Sequence, residues 1–302
     1  MRKGPEPKGE IPLTGQDRGA FIRCSSGQSL LGSIGNGSAH YYTSLKEERM
    51  KLVRFQHEGE VRCGLWEEDR VVEIEGDFFG EFSITSRTHR SSEVRLLPPV
   101  IPSKILCVGL NFRDHIEELG REVPSLPSHF MKPPSALVGP QEAILYPRIA
   151  ERVDYEGELA VVVKDRIKDV PQQEALDHIL GCTCFNDVTE RVLAGIPGQL
   201  TRSKGFDTFA PLGPCIATEV DPSSLVLRTY LNGQLVQESS TKEMVFSVAY
   251  LIHYLSQCMT LLPGDVITTG TPGGVGPLRP GDVVEVSIEG VGTLRNPVRS
   301  AP

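Results

Sequence analysis

The segment Asp154-Tyr155-Glu156-Gly157-Glu158-Leu159-Ala160, running on into Val161-Val162-Val163, carries the residue types that most directly suggest chemistry. On a strand, residues two apart share a face about 6 to 7 Å apart along the chain, so Glu156 and Glu158 project together beside Ala160. Two like charges on a face that continues into apolar residues repel each other and lose hydration, and a bound cation relieves both penalties. The other reading of such a pair is a solvated strand edge. A further acid, Asp187, ends a second apolar stretch in Cys184-Phe185-Asn186-Asp187-Val188-Thr189. Oxygen ligands with no His or Cys nearby favour a hard cation, Mg²⁺, Mn²⁺ or Ca²⁺, over zinc. Spacing alone leaves open whether Asp187 reaches the glutamate pair.

His115 and Glu118 stand three apart in Phe112-Arg113-Asp114-His115-Ile116-Glu117-Glu118-Leu119 and share a face if that segment is helical. A carboxylate beside an imidazole orients it and raises its basicity, which suits a general base or a water activator. An exposed helical ion pair has the same signature. Lys204, in Arg202-Ser203-Lys204-Gly205-Phe206-Asp207, could steady an oxyanion or simply cover a turn. The run Thr269-Gly270-Thr271-Pro272-Gly273-Gly274-Val275-Gly276 offers backbone N–H groups to an anion. It lacks the Gly-Lys-Ser/Thr ending of a nucleotide loop, and no helix pattern follows, so a plain tight turn is the alternative.

Strands must position most of these groups. ELAVVVKD, CTCFND, LVLRTYLNG with QLVQE, DVITTG and DVVEVSIEGVGTL all read as strands, and frequent hairpin signals favour a β-rich α+β fold over a doubly wound parallel sheet. Helices are expected at 112–119 with Asn111 as cap and Gly120 as stop, and at 172–180 after Pro171. The longest helix is expected over Val245 to Met259, behind a capping box of Ser240 and Glu243.

With 302 residues, 39% hydrophobic and 23% charged, the chain has the composition of a globular protein able to bury a sizeable core. A net charge of -8 without a basic block argues against nucleic acid and anionic membrane as partners. No stretch approaches the roughly 18 apolar residues of a membrane span, and the N-terminus has no secretion signal, so a cytoplasmic location is expected. The seven cysteines are dispersed, with neither CxxC nor zinc spacing, and read as reduced core residues.

Residues 1–49 are Gly- and Ser-rich without sustained periodicity, and read as a disordered or mis-assigned leader. Met50 is the expected start, because Lys46-Glu47-Glu48-Arg49 can be written in purine-only codons resembling a ribosome-binding site. A small β domain over 50–100 and a larger domain over 104–302 should follow, joined by the Pro-rich LLPPVIPSK.

Six segments in order, Gly109-Leu110-Asn111-Phe112-Arg113-Asp114-His115, Phe130-Met131-Lys132-Pro133-Pro134-Ser135, Asp154-Tyr155-Glu156-Gly157-Glu158-Leu159, Asn186-Asp187-Val188-Thr189, Lys204-Gly205-Phe206-Asp207 and Thr269-Gly270-Thr271-Pro272, closely resemble the fumarylacetoacetate hydrolase family. The resemblance implies that family's mixed β-sandwich and β-roll catalytic domain behind a small N-terminal β domain, in a homodimer. It also implies Mg²⁺ or Mn²⁺ on Glu156, Glu158 and Asp187, a catalytic dyad of His115 and Glu118 on a lid, and substrate contacts from Lys204, Arg191 and Thr271. The implied substrate is a small 2-keto acid chelated to the metal, and the leading implied reaction is C–C hydrolysis of an acylpyruvate-like diketo acid through an enolate. Isomerisation, tautomerisation or decarboxylation of a dicarboxylic 2-keto acid is the alternative, and an inactive binding module is disfavoured because every ligand and dyad position holds a competent residue. Where many members read Asn-Asp-Val-Ser-Ala-Arg-Asp-Leu-Gln, this chain has Thr189, Glu190, Val192 and Ala194, so the substrate pocket differs there.

Overall fold

In the computed structural model, which describes residues 41–42 and 49–302, the Val-rich run after Glu158 is the strand Gly157–Val163, with all seven residues buried. It has antiparallel neighbours on both sides, Ile179–Asn186 and Val266–Thr268. Its alternate residues serve two cores. Leu159, Val161 and Val163 pack into one with Ile252, Leu255, Val286 and Ile288, whereas Ala160 and Val162 join Leu52, Ile105 and Leu212 in another. A continuous apolar sequence is what a strand covered on both faces requires. Glu158 lies two residues before Ala160 and so shares its face.

The large sheet runs, neighbour to neighbour, through Tyr41–Tyr42, Phe82–Arg90, Arg70–Gly76, Glu60–Glu67, Lys51–His57, Ala210–Ala217, Ile179–Asn186, Gly157–Val163, Val266–Thr268, Ile105–Gly109 and Ser128–Lys132. Its N-terminal meander joins the rest through Ile216↔Leu52 and Ala217↔Lys51, so the Pro-rich segment divides the chain in sequence without dividing the sheet. A five-stranded sheet, ordered Ile144–Tyr146, Gly292–Ser300, Val283–Ile288, Val226–Leu231 and Gln234–Ser240, shares the first core with the large one. The class is α+β and mostly β, as the strand patterns predict. The expected leader over 1–49 lies outside the described residues, except for Arg49 and for Tyr41–Tyr42, which pairs with Phe82–Arg90.

Three helix expectations need correction. Arg113–Glu118 is helical, but Phe112 holds the cap position without a side-chain bond, because the Asn111 amide is committed to distant backbone. Gln172–His178 is a 3-10 helix rather than an α-helix. The longest helix is Val248–Cys258, capped by the Ser247 hydroxyl, while Ser240 caps only the short 3-10 turn Thr241–Glu243. Local capping rules located the helical regions and missed their first residues, since several side chains near each start can accept a backbone N–H. Among the described cysteines, Cys107, Cys182, Cys184 and Cys215 are buried free thiols, Cys63 is partly buried and Cys258 is exposed. No helix among the described residues is long and apolar enough to cross a membrane.

Candidate active site

The strand register answers the question that spacing left open. Gly157 pairs with Asn186, so Asp187, one residue past the end of its strand, comes beside Glu156; its N–H donates to the Glu156 carbonyl at 2.8 Å. Carboxylate oxygens of Glu156, Glu158 and Asp187 lie within 4.8 Å of one another. With relative exposures of 6%, 1% and 1%, these side chains are no solvated strand edge. The residue between the glutamates has to be glycine, because a Cβ on Gly157 would stand 2.1 Å from the Thr229 hydroxyl.

Three cations surround the cluster. Lys204 Nζ donates to Glu156 at 2.7 Å and to Asp187 at 2.6 Å, and rests 4.9 Å from the centre of the Phe130 ring. Arg191 bonds Glu156 through one guanidinium nitrogen and Asp154 through another, the latter at 2.8 Å. Lys132, fully buried, bonds Asp187 and donates to the Val188 carbonyl at 2.9 Å. Burial works against ionisation of Glu156, but Lys204 and Arg191 outweigh it and bring its pKa down to about 2. Burial likewise opposes the charge on Lys204, yet Asp187 and Glu156 keep the ammonium protonated. Glu158 has no such cation. Burial, and then the charge of Asp187, push its pKa well above the usual carboxylate range; Thr268 and the charge of Lys204 oppose this without prevailing, and Gly270 N–H donates to the carboxylate at 2.9 Å.

Glu158 is therefore the carboxylate whose charge the protein leaves uncompensated, within reach of two others. Three buried hard oxygen donors with no thiol or imidazole among them fit Mg²⁺ or Mn²⁺.

The same small cavity, about 250 Å³, is lined by Glu156, Glu158, Asp187, Lys204, Arg191, Thr271 and His115. All the expected site residues thus meet at one place except Glu118, which stands behind His115 with its carboxylate 3.3 Å from Nδ1. Glu118 is no free surface partner, because Gly274 N–H donates to it at 3.1 Å and ties the His115 helix to the glycine-rich turn. Thr271 lines the cavity, but its hydroxyl donates to the Gly157 carbonyl at 2.9 Å and accepts from Gln237 at the same distance.

Sequence reasoning assigned no role to Lys132 or Gln237, and gave Asn111 only that of a helix cap. Lys132 ends the strand Ser128–Lys132, whose other residues are exposed or half-buried, so the sequence carried no signal that this one cation is buried and needs a partner. Gln237 accepts from Gly157 N–H at 3.1 Å and donates to the Pro272 carbonyl at 2.9 Å, stapling the turn to the strand Gly157–Val163. Glu190, one of the departures from the family pattern, caps the helix Arg191–Ala194 at the Leu193 N–H and accepts from the backbone of Glu151 and Arg152, so it holds Arg191 in place.

Residues 104–299 match the family profile for the fumarylacetoacetate hydrolase C-terminal domain, and residues 50–99 match the one described as Rv2993c-like, N-terminal. The solved 2-hydroxyhepta-2,4-diene-1,7-dioate isomerase from Mycobacterium marinum is 43% identical with a TM-score of 0.78, over 83% of this chain and 98% of its own. A mitochondrial oxaloacetate tautomerase of Xenopus laevis is 41% identical over 68% of this chain and 69% of its own length. The maleylpyruvate hydrolase from Sphingobium sp. SYK-6, solved with manganese(II) and pyruvate, is 27% identical with a TM-score of 0.71, over 84% of this chain and all of its own. A profile match over well more than half of the sequence, carried on the same fold as these enzymes, shows that the chain belongs to the fumarylacetoacetate hydrolase family.

Proposed function

We propose that the protein is a metal-dependent enzyme that hydrolyses a C–C bond in an acylpyruvate-like diketo acid. The observation that carries this reading is the placement of the three buried carboxylates on the wall of the cavity that also receives His115, Lys204 and Arg191. Glu156, Glu158 and Asp187 would hold Mg²⁺ or Mn²⁺, which when bound would supply Lewis-acid polarisation of the substrate's carboxylate and adjacent carbonyl. His115, oriented by Glu118, takes a proton from water so that its oxygen adds to the acyl carbon. When the C–C bond then breaks, its electron pair stays on the pyruvate fragment as an enolate and is protonated at carbon. Arg191 and Lys204 place positive charge where the substrate's anionic end and the developing enolate oxygen lie, and Thr271 keeps the glycine-rich turn closed against the strand.

A second reading, isomerisation or keto–enol interconversion of a dicarboxylic 2-keto acid, is favoured by one observation. The isomerase and the tautomerase are more similar to this chain, at 43% and 41% identity, than the hydrolase at 27%. Both readings pass through an enolate and need the same site.

Turnover by the purified protein with Mg²⁺ or Mn²⁺, over a panel of acylpyruvates and enol oxaloacetate, separates them. Cleavage of an acylpyruvate is the expected result. Oxaloacetate tautomerisation without cleavage would replace the first reading by the second, and no turnover of any member would overturn both.

A further inference from the structure

Tyr155 is a buried phenol that the proposed reaction does not use. It ends the strand Val153–Tyr155, which pairs antiparallel with Gly276–Leu278, and the pairing Tyr155↔Gly276 brings its side chain alongside the glycine-rich turn. The facing residue has no room for a side chain, because a Cβ on Gly276 would stand 2.7 Å from the phenol oxygen. That hydroxyl donates to the Gly274 carbonyl at 3.0 Å. Gln237 holds the turn at Thr271 and Pro272, and Tyr155 holds it at Gly274.

Gly274 is also the residue that reaches Glu118. Its N–H donates to Glu118 Oε2 at 3.1 Å, and the same oxygen stands 3.3 Å from His115 Nδ1. The Glu118 side chain is 48% exposed and grows from a helix of only six residues, so among the described residues Gly274 N–H is the one group besides His115 that fixes its carboxylate. A glutamate left unheld keeps several rotamers, and most of them lose this geometry. The geometry matters because a carboxylate only accepts hydrogen bonds. Its partner Nδ1 must carry the proton, which leaves Nε2 as the basic nitrogen of the ring.

We propose that Tyr155 is a positioning residue for the general base: its hydrogen bond to Gly274 sets where Gly274 N–H holds Glu118, and so keeps His115 in the Nδ1–H tautomer with Nε2 ready to accept a proton. Tyr155 does not line the cavity and acts through Glu118 rather than on the substrate. The inference rests on the reading of His115 as the base, and it holds for either reaction above.

The deciding variant is Tyr155→Phe, which removes the hydroxyl and keeps the ring among Val153, Leu278 and Val284. ¹⁵N spectra of the neutral His115 imidazole, with Mg²⁺ present, should show Nδ1–H as the main form in the wild type and a shift toward Nε2–H in Tyr155→Phe, as in Glu118→Gln. kcat should fall about three- to tenfold with KM unchanged, the rate equivalent of one neutral hydrogen bond. In the double variant the loss should be smaller than the product of the two single losses, because both changes act on one carboxylate. An unchanged tautomer ratio in Tyr155→Phe, or single losses that multiply, would overturn the role of Tyr155. The tautomer ratio does not require turnover, so a shift in a protein that converts neither class of substrate would support the positioning of His115 and overturn the reaction instead.

Discussion

The side-chain amide of Asn111 donates to the carbonyl of Thr269 at 2.8 Å. Thr269 precedes Gly270, whose N–H holds Glu158, and Asn111 leads into the helix that carries His115. The same amide accepts from Phe246 N–H at 2.8 Å and donates to the Phe246 carbonyl at 3.1 Å, so one buried side chain couples the His115 helix, the carboxylate cluster and the segment before the longest helix.

Asn111→Ala should therefore do more than loosen a helix end. It leaves buried backbone groups unpaired, at a cost of about 1 to 3 kcal/mol. Urea unfolding should show that loss, and calorimetry should show weaker Mn²⁺ binding in the variant while it is still folded. Unchanged metal affinity would mean that Asn111 serves the fold alone.

The contrasting variant is Glu158→Gln, which removes a ligand and also relieves the repulsion between crowded buried carboxylates. Mn²⁺ affinity should fall by roughly 100-fold or more, while the metal-free protein should unfold no earlier than the wild type. Intact metal binding would place the ion elsewhere.

How far the site could be read in advance follows from where its contacts lie along the chain. Glu156 and Glu158 were legible as a pair because they stand two apart, although only Glu158 lies in the strand Gly157–Val163 and Glu156 occupies the break just before it. The approach of Asp187 depends on the register Gly157↔Asn186, which no local pattern encodes. Lys132 is 55 residues from Asp187, and Gln237 is 80 residues from Gly157, so their roles emerge only when the sheet assembles. Asn111 misled for a related reason: an Asn before a helix is a good cap, but three tertiary hydrogen bonds take its amide away from that duty. The strands themselves were readable, since their apolar runs are set by burial on both faces.

Lys132→Met tests the buried pair with Asp187. Removing one partner of a buried ion pair costs about 3 to 5 kcal/mol, and Lys204 on the other Asp187 oxygen should keep the loss near the lower bound. Added Mn²⁺ should recover part of it, because the ion restores positive charge beside Asp187 and stabilises only the folded state. A urea midpoint equal to that of the wild type would rule out the pair as a stabilising contact.

Far from the site, Glu73 gives the fold a dependence on acid. Its burial would raise its pKa, but hydrogen bonds from His89, Arg87 and Arg62 prevail and bring it to about 2. A carboxylate whose folded pKa is depressed contributes stability that is complete above its unfolded pKa, near 4.5, and is lost as pH falls toward 2. Glu73→Gln should thus be less stable than the wild type at pH 7, with a gap that narrows as pH drops from 5 to 3. A gap constant over that range in urea unfolding would show that the carboxylate's charge is not what matters.

The last prediction separates the work of His115 from that of the metal ligands. His115 lies on the cavity wall with Glu118 behind it, and it is not one of the clustered oxygen donors. His115→Ala should leave Mn²⁺ binding close to the wild-type value and lower kcat for acylpyruvate cleavage by about 10²- to 10⁴-fold, the usual loss for a general base, with little change in KM. Glu118→Gln should produce a smaller loss, because it keeps an acceptor for Gly274 N–H while weakening the carboxylate's hold on the imidazole. If the wild type instead interconverts the enol and keto forms of oxaloacetate, the same His115 variant should lose that proton transfer, because both reactions draw on one base. Full rates in both assays after His115→Ala would exclude the imidazole as the base, leaving Lys204, whose ammonium would first have to give up its proton between Glu156 and Asp187.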